Sequence, residues 1–97
     1  MALRVNIPET TGIPAEIFSA LENLNSLRPS LWEDDWVASL IEGPNEYWEL
    51  KLTDKNGISQ RGFIFPEQQN NTAVCASLLV LRQMLPGRPS SKSNQAL

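Results

Sequence analysis

Glu33-Asp34-Asp35 is the one dense group of acids in this chain, and Cys75 is its one thiol. Three adjacent carboxylates could offer oxygen ligands to a hard cation, but their spacing matches no calcium loop. A solvated loop, or one end of an intermolecular salt link, is the expected role. Cys75 lies between Val74 and Ala76, where a cysteine is expected to act as a small buried hydrophobe rather than as a nucleophile. The chain has no histidine, which rules out a Ser-His-Asp triad and a Cys-His dyad. A lone cysteine cannot build a zinc site. The five glycines are scattered singly, so no glycine-rich phosphate loop occurs. The residues therefore point to no catalytic group, no cofactor and no metal.

Aromatic side chains are the more informative candidates. Trp36 and Trp48 fall on expected strands and belong to the core. Tyr47 points to the face opposite Trp48 and is expected to be exposed unless something binds there. Trp32 lies in a loop between a proline and the acidic cluster, where core burial and an interface role are both open. Exposed Trp and Tyr are typical anchors of protein interfaces. The candidate interface set is Trp32, Glu33, Asp34, Asp35 and Tyr47, joined by Arg88 and Lys92 near the C-terminus.

These residues are carried by a chain of 97 residues, 41% apolar and 20% charged, which suits one globular domain. Residues 1–85 are expected to form it. Residues 86–97 lose the apolar pattern and gain Pro, Ser, Gly and Asn, and read as a flexible tail. The net charge is −3, unevenly spread. Met1 to Leu50 holds nine acids against Arg4 and Arg28; Lys51 to Leu97 holds six bases against Asp54 and Glu67. Such asymmetry suits head-to-tail association between copies, or a partner with a basic patch. An acidic chain is a poor binder of nucleic acid through phosphates. One cysteine permits no internal disulfide and fits a reducing compartment. Met1 to Thr10 has no signal-peptide core, and the longest apolar stretch, Val74 to Leu81, is far short of a membrane span.

The strongest local signal is Asn56-Gly57 between two alternating runs, which predicts a hairpin with a two-residue loop. That register sets Leu52 opposite Arg61, Leu50 opposite Phe63 and Trp48 opposite Phe65, all on one buried face. Glu49, Lys51, Thr53 and Gln60 fall on the other. Leu3 to Ile7 reads as a short strand stopped by Pro8, and Trp36 to Glu42 as another, closed by the turn Gly43-Pro44-Asn45. Ile17, Leu21 and Leu24 favour a helix over Ala15 to Leu27, although Phe18, Ala20 and Leu24 leave a strand open. Thr72 is a plausible N-cap for a helix over Ala73 to Leu85, stopped by Pro86-Gly87. Its stripe of Val74, Leu78, Leu81 and Leu85, widened by Cys75 and Leu79, is the natural cover for the hairpin. The expected fold is α+β: a small antiparallel β-meander of three or four strands with a C-terminal helix packed on one face.

Met1-Ala2-Leu3-Arg4-Val5-Asn6-Ile7-Pro8, then Gly12-Ile13-Pro14-Ala15, resembles the opening of a group of small phage virion proteins. Phe63-Ile64-Phe65 followed by the late helix is similar to their close. The resemblance spans much of the chain on short motifs. It implies a structural component at the tail, baseplate or fibre attachment, with a β-like segment after Ala15. Trp48-Glu49-Leu50-Lys51 and Arg61-Gly62-Phe63-Ile64-Phe65 resemble the paired central strands of RelE/HigB-like toxins over about twenty residues. That likeness implies a ribosome-dependent ribonuclease whose cations would be Lys51, Arg61 and Arg82. Its members are usually basic and close on a strand rich in Lys or Arg, whereas this chain is acidic and closes on a helix.

The resulting expectation is a non-enzymatic structural or adaptor protein. It would self-associate or dock into a larger assembly such as a phage virion, with other protein subunits or itself as partners and no direct nucleic-acid or membrane contact. Its place would be the virion or the bacterial cytoplasm. The main alternative is an acidic inhibitor in which Glu33, Asp34, Asp35, Glu42, Glu46 and Glu49 imitate phosphates. A degenerate RelE-like ribonuclease comes third.

Overall fold

A computed structural model describes residues 3–85; the expected tail, with Arg88 and Lys92, lies outside them. The order is β1 (Leu3–Asn6), α1 (Ala15–Leu27), a 3-10 turn (Pro29–Trp32), β2 (Trp36–Glu42), β3 (Trp48–Thr53), β4 (Ser59–Ile64) and α2 (Asn71–Met84). One sheet takes the strands in sequence order, β1-β2-β3-β4. Alternation dictates its two sides. Leu3 and Val5, Trp36, Ala38 and Leu40, and Trp48, Leu50 and Leu52 are buried on one face, because successive strand residues point to opposite sides. Both helices cover that face. Ile17, Phe18, Leu21 and Leu24 of α1 and Val74, Leu78 and Leu81 of α2 join the same core as the strand residues.

The α+β class is as expected, with one difference in connectivity. β2, β3 and β4 are an antiparallel meander, but β1 pairs with β2 in parallel, Leu3 against Trp36 and Asn6 against Ser39. The cause is α1. Residues 15–27 are helical, not β-like, and a helical crossover returns the chain to run in the same direction as before. α1 starts at Pro14 without a side-chain cap and ends at Arg28, whose N–H donates to Leu24 O. At α2 the cap is Asn70 rather than Thr72. Its Oδ1 accepts from the Ala73 N–H at 2.9 Å, so the helix opens two residues earlier, at Asn71.

The hairpin register differs from the expected one by a single residue, with large consequences. Trp48 pairs with Ile64, Leu50 with Gly62, Lys51 with Arg61 and Thr53 with Ser59. The Asp54 carboxylate accepts from both Asn56 N and Ile58 N, and Gly57 N donates to Asp54 O. Gly57 takes a left-handed φ of 87°. This closes a three-residue loop with a glycine bulge instead of a two-residue turn. A one-residue offset sends every β4 side chain to the other face. Ile64 is therefore buried, Gln60 and Gly62 turn toward the helices, and Arg61, Phe63 and Phe65 point away from the core. A Cβ at Gly62 would lie 3.5 Å from Leu81 Cδ2, an ordinary contact, so the packing of α2 does not itself demand glycine there.

The β2–β3 turn holds backbone strain. Asn45 and Glu46 have φ of 57° and 67°, a region that Asn tolerates but Glu does not favour. Glu46→Gly should stabilise the fold by about 0.5–1 kcal/mol, read as a rise of roughly 3–6 °C in Tm. Gly57→Ala should do the reverse, since a Cβ at that φ is strained whatever the space around it. Thermal unfolding of the two variants beside the parent checks both signs.

Candidate docking face

The helix-free side of the sheet can be laid out row by row from the strand pairings. Gly43 N donates to Tyr47 O, and continuing the β3–β4 register sets Tyr47 beside Phe65 at one end. The next row is Ile41, Glu49 and Phe63. The middle row is Asn6, Ser39, Lys51 and Arg61, and the far row is Arg4, Val37, Thr53 and Ser59. One end is thus aromatic, the middle basic, and the far end mixed, with Arg4 on β1 and smaller side chains on the other three strands.

The aromatic end is organised rather than random. The Tyr47 ring meets Phe63 and Phe65 edge-on, each with centroids 5.5 Å apart, a favourable geometry for π-systems. Phe63 is still 53% exposed, Phe65 47% and Ile41 44%. The strained turn is held from outside. Gln69 Nε2 donates to Glu46 O at 2.8 Å, so the loop after Phe65 clamps the backbone just before Tyr47. Phe65 is fixed in turn, with its carbonyl accepting from Gln68 N at 2.7 Å. Large apolar groups gathered on an exposed face mark interaction surfaces more often than isolated ones do. Nothing in composition could reveal this cluster; the signal lay in the hairpin register alone.

Charges on the same face are partly neutralised. Lys51 sits directly opposite Arg61, a like-charge pair that would cost stability. Arg61 Nη1 leans diagonally to Glu49 Oε2 at 3.0 Å, which offsets it. A shallow concavity at the β4 edge is lined by Lys51, Ser59, Gln60, Arg61 and Phe63.

The expected interface residues are not brought together. Trp32 is 1% exposed, which removes it from any interface of the folded chain. Its Nε1–H donates to Leu24 O at 3.1 Å, and its ring meets Trp36 edge-on at 6.0 Å. Tyr47 does lie on the helix-free face, half-buried by its two phenylalanines. Glu33, Asp34 and Asp35 lie before β2, with Asp34 bonded to Lys55 Nζ at 3.2 Å. Glu42 closes the other end of β2, roughly 20 Å away by strand geometry. Its carboxylate accepts from Gly12 N at 3.1 Å, and a Cβ at residue 12 would press on it. The acids that would imitate phosphates are therefore split between two ends and the sheet face.

The cations of the ribonuclease reading are split as well. Lys51 and Arg61 share the outer face, whereas Arg82 is buried under the helices. There its Nε donates to Leu31 O at 3.0 Å, and its guanidinium lies 4.2 Å from the centroid of Trp36. Cys75 is half-buried, and that burial pushes its thiol above the ordinary range, against use as a nucleophile at neutral pH. Among the described residues no group of three metal-ligating side chains occurs, and no helix is long and apolar enough to cross a membrane. No protein-family model, curated protein or solved structure matches this chain.

Proposed function

We propose that this protein is a non-enzymatic docking subunit, which joins a larger protein assembly through the helix-free face of its sheet. The observation that carries the reading is the group of Phe63, Phe65 and Ile41, exposed and held around the half-buried Tyr47 on the side of the sheet that neither described helix covers. Such a group loses water-exposed apolar area only by meeting another surface, and each well-buried aromatic anchor contributes strongly to association. The basic middle row selects for an acidic or polar rim on the partner. The sequence resemblance to small virion components supports a phage particle as the assembly, with the virion or the bacterial cytoplasm as its place.

Affinity capture of a tagged chain from its native context, with mass spectrometry of the captured proteins, tests this reading. Structural proteins of one assembly should come down with the parent, and Phe63→Lys should lose them by about tenfold or more. Asp34→Asn/Asp35→Asn should capture as the parent does. Capture of a nucleic-acid enzyme that depends on Asp34 and Asp35 and weakens steeply with salt would move the charge-mimic reading to the front.

A further inference from the structure

The docking face ends at an open strand edge. β4 is the last strand of the sheet, six residues long. Main-chain groups of an antiparallel pair alternate between facing the neighbour and facing away. Asp54 N donates to Ile58 O, which fixes the phase: Gln60, Gly62 and Ile64 bond β3, and Ser59, Arg61 and Phe63 present their N–H and C=O to the open side. Phe65 is closed off, since its N–H donates to Gln68 Oε1 and its carbonyl accepts from Gln68 N. The opposite edge is only four residues long, and its Leu3 N–H donates to Asn25 Oδ1. Among the described strands, β4 is the one with a long free edge, and the shallow concavity runs beside it.

Resting on the docking reading, we propose that this edge pairs with a second copy of the same chain, β4 to β4 antiparallel about a two-fold axis at Gly62. Between the two registers centred on Arg61 and on Gly62, charge favours the second. A two-fold axis at Arg61 would put Arg61 against its own copy, flanked on both sides by Lys51, a row of four cations across adjoining strands. Like charges directly opposite are destabilising. Moving the axis one residue to Gly62 sets Arg61 against the partner's Phe63, with Glu49 of the partner subunit next in the row. Arg61 and Phe63 then exchange main-chain bonds with the partner's Phe63 and Arg61. The guanidinium lies beside an aromatic ring, a favourable cation–π arrangement. Gly62 meets its copy at a non-hydrogen-bonded position, where strands come closest, about 4.5 Å between Cα atoms. Glycine places no side chain in that approach. The result is a continuous eight-stranded sheet with the aromatic ends of both copies on one broad face.

Sedimentation of the full chain across about 1–200 μM, a span reaching ordinary homodimer affinities, tests the proposal with two variants. Phe63→Lys sets a lysine against the partner's Arg61, and Arg61→Pro removes an edge-facing N–H while leaving the β3 bonds intact. The parent should dimerise. Each variant should weaken the dimer by about tenfold or more and unfold thermally near the parent, since both side chains are exposed. A parent that stays monomeric throughout, or a dimer that persists in both variants, overturns the proposal. If the parent is monomeric but Phe63→Lys still loses the captured assembly, the second-copy assignment fails and the docking reading stands. If neither self-association nor capture responds to Phe63, both fail.

Discussion

Trp32→Ala should unfold more readily than any surface variant of this chain, losing about 3–5 kcal/mol. Trp32 links three parts of the fold. It ends the 3-10 turn, donates its indole N–H to Leu24 O at the end of α1, meets Trp36 of β2 edge-on, and lies almost wholly in the core. Truncation opens a cavity that the surroundings refill only in part, and it leaves the Leu24 carbonyl without its indole donor. A domain of this size has total stability of roughly 5–15 kcal/mol, so the loss is a large share. Thermal or urea unfolding should show a Tm fall of more than about 10 °C. Trp32→Phe, which keeps a ring but drops the N–H, should lie between parent and Ala variant. A Trp32→Ala protein with parental stability and lost binding would return this residue to the interface set.

Arg82→Ala should rank second, at about 2–4 kcal/mol. A buried arginine is unusual, and here it closes the far side of the core. From α2 it donates to Leu31 O across 51 residues of sequence and stacks on Trp36, which in turn carries Trp32. Removing it leaves one indole face and one carbonyl less well covered. Arg82→Lys should recover little, because an ammonium lacks the planar fork that stacks and donates at once. Arg82→Met should recover more, since it refills the apolar part of the site. Denaturant midpoints at one pH order the three. A lysine variant equal to the parent would mean that charge alone, not the stack, holds the site. Trp32 and Arg82 share Trp36, so the double variant should lose less than the sum of the singles.

Local chemistry was legible wherever one residue type decides a geometry. The i, i+4, i+7 spacing of Ile17, Leu21 and Leu24 and the stripe from Val74 to Leu85 identify the two core-facing helices. The alternation from Trp36 to Glu42 delimits β2. The hairpin was legible as a hairpin but not in its register. Asn56-Gly57 permits two loop lengths, and the Asp54 carboxylate chooses the longer by holding Asn56 and Ile58. That choice decides whether Phe63 and Phe65 build the core or the docking face. Both readings put apolar residues inside, since Ile64 serves as well as its neighbours, so patterning alone could not separate them. Trp32 and Arg82 were obscure for a different reason. One follows a loop proline and the other sits near the end of a helix, and only the approach of α2 to the 3-10 turn makes them neighbours. The parallel pairing of β1 likewise depends on where α1 delivers the chain, not on the four residues of the strand.

Hydrogen exchange on the chain within its native assembly, compared with the free chain at high dilution, reads out whether the helix-free face and the β4 edge become covered. Amide protection reports where a surface becomes covered or an edge becomes paired. New protection is expected over Ser59–Phe65 and around Tyr47 to Lys51, with the exposed sides of α1 and α2 unchanged. Protection that appears instead on the helices or at Glu33–Asp35, with 59–65 exchanging as in the free chain, would contradict it.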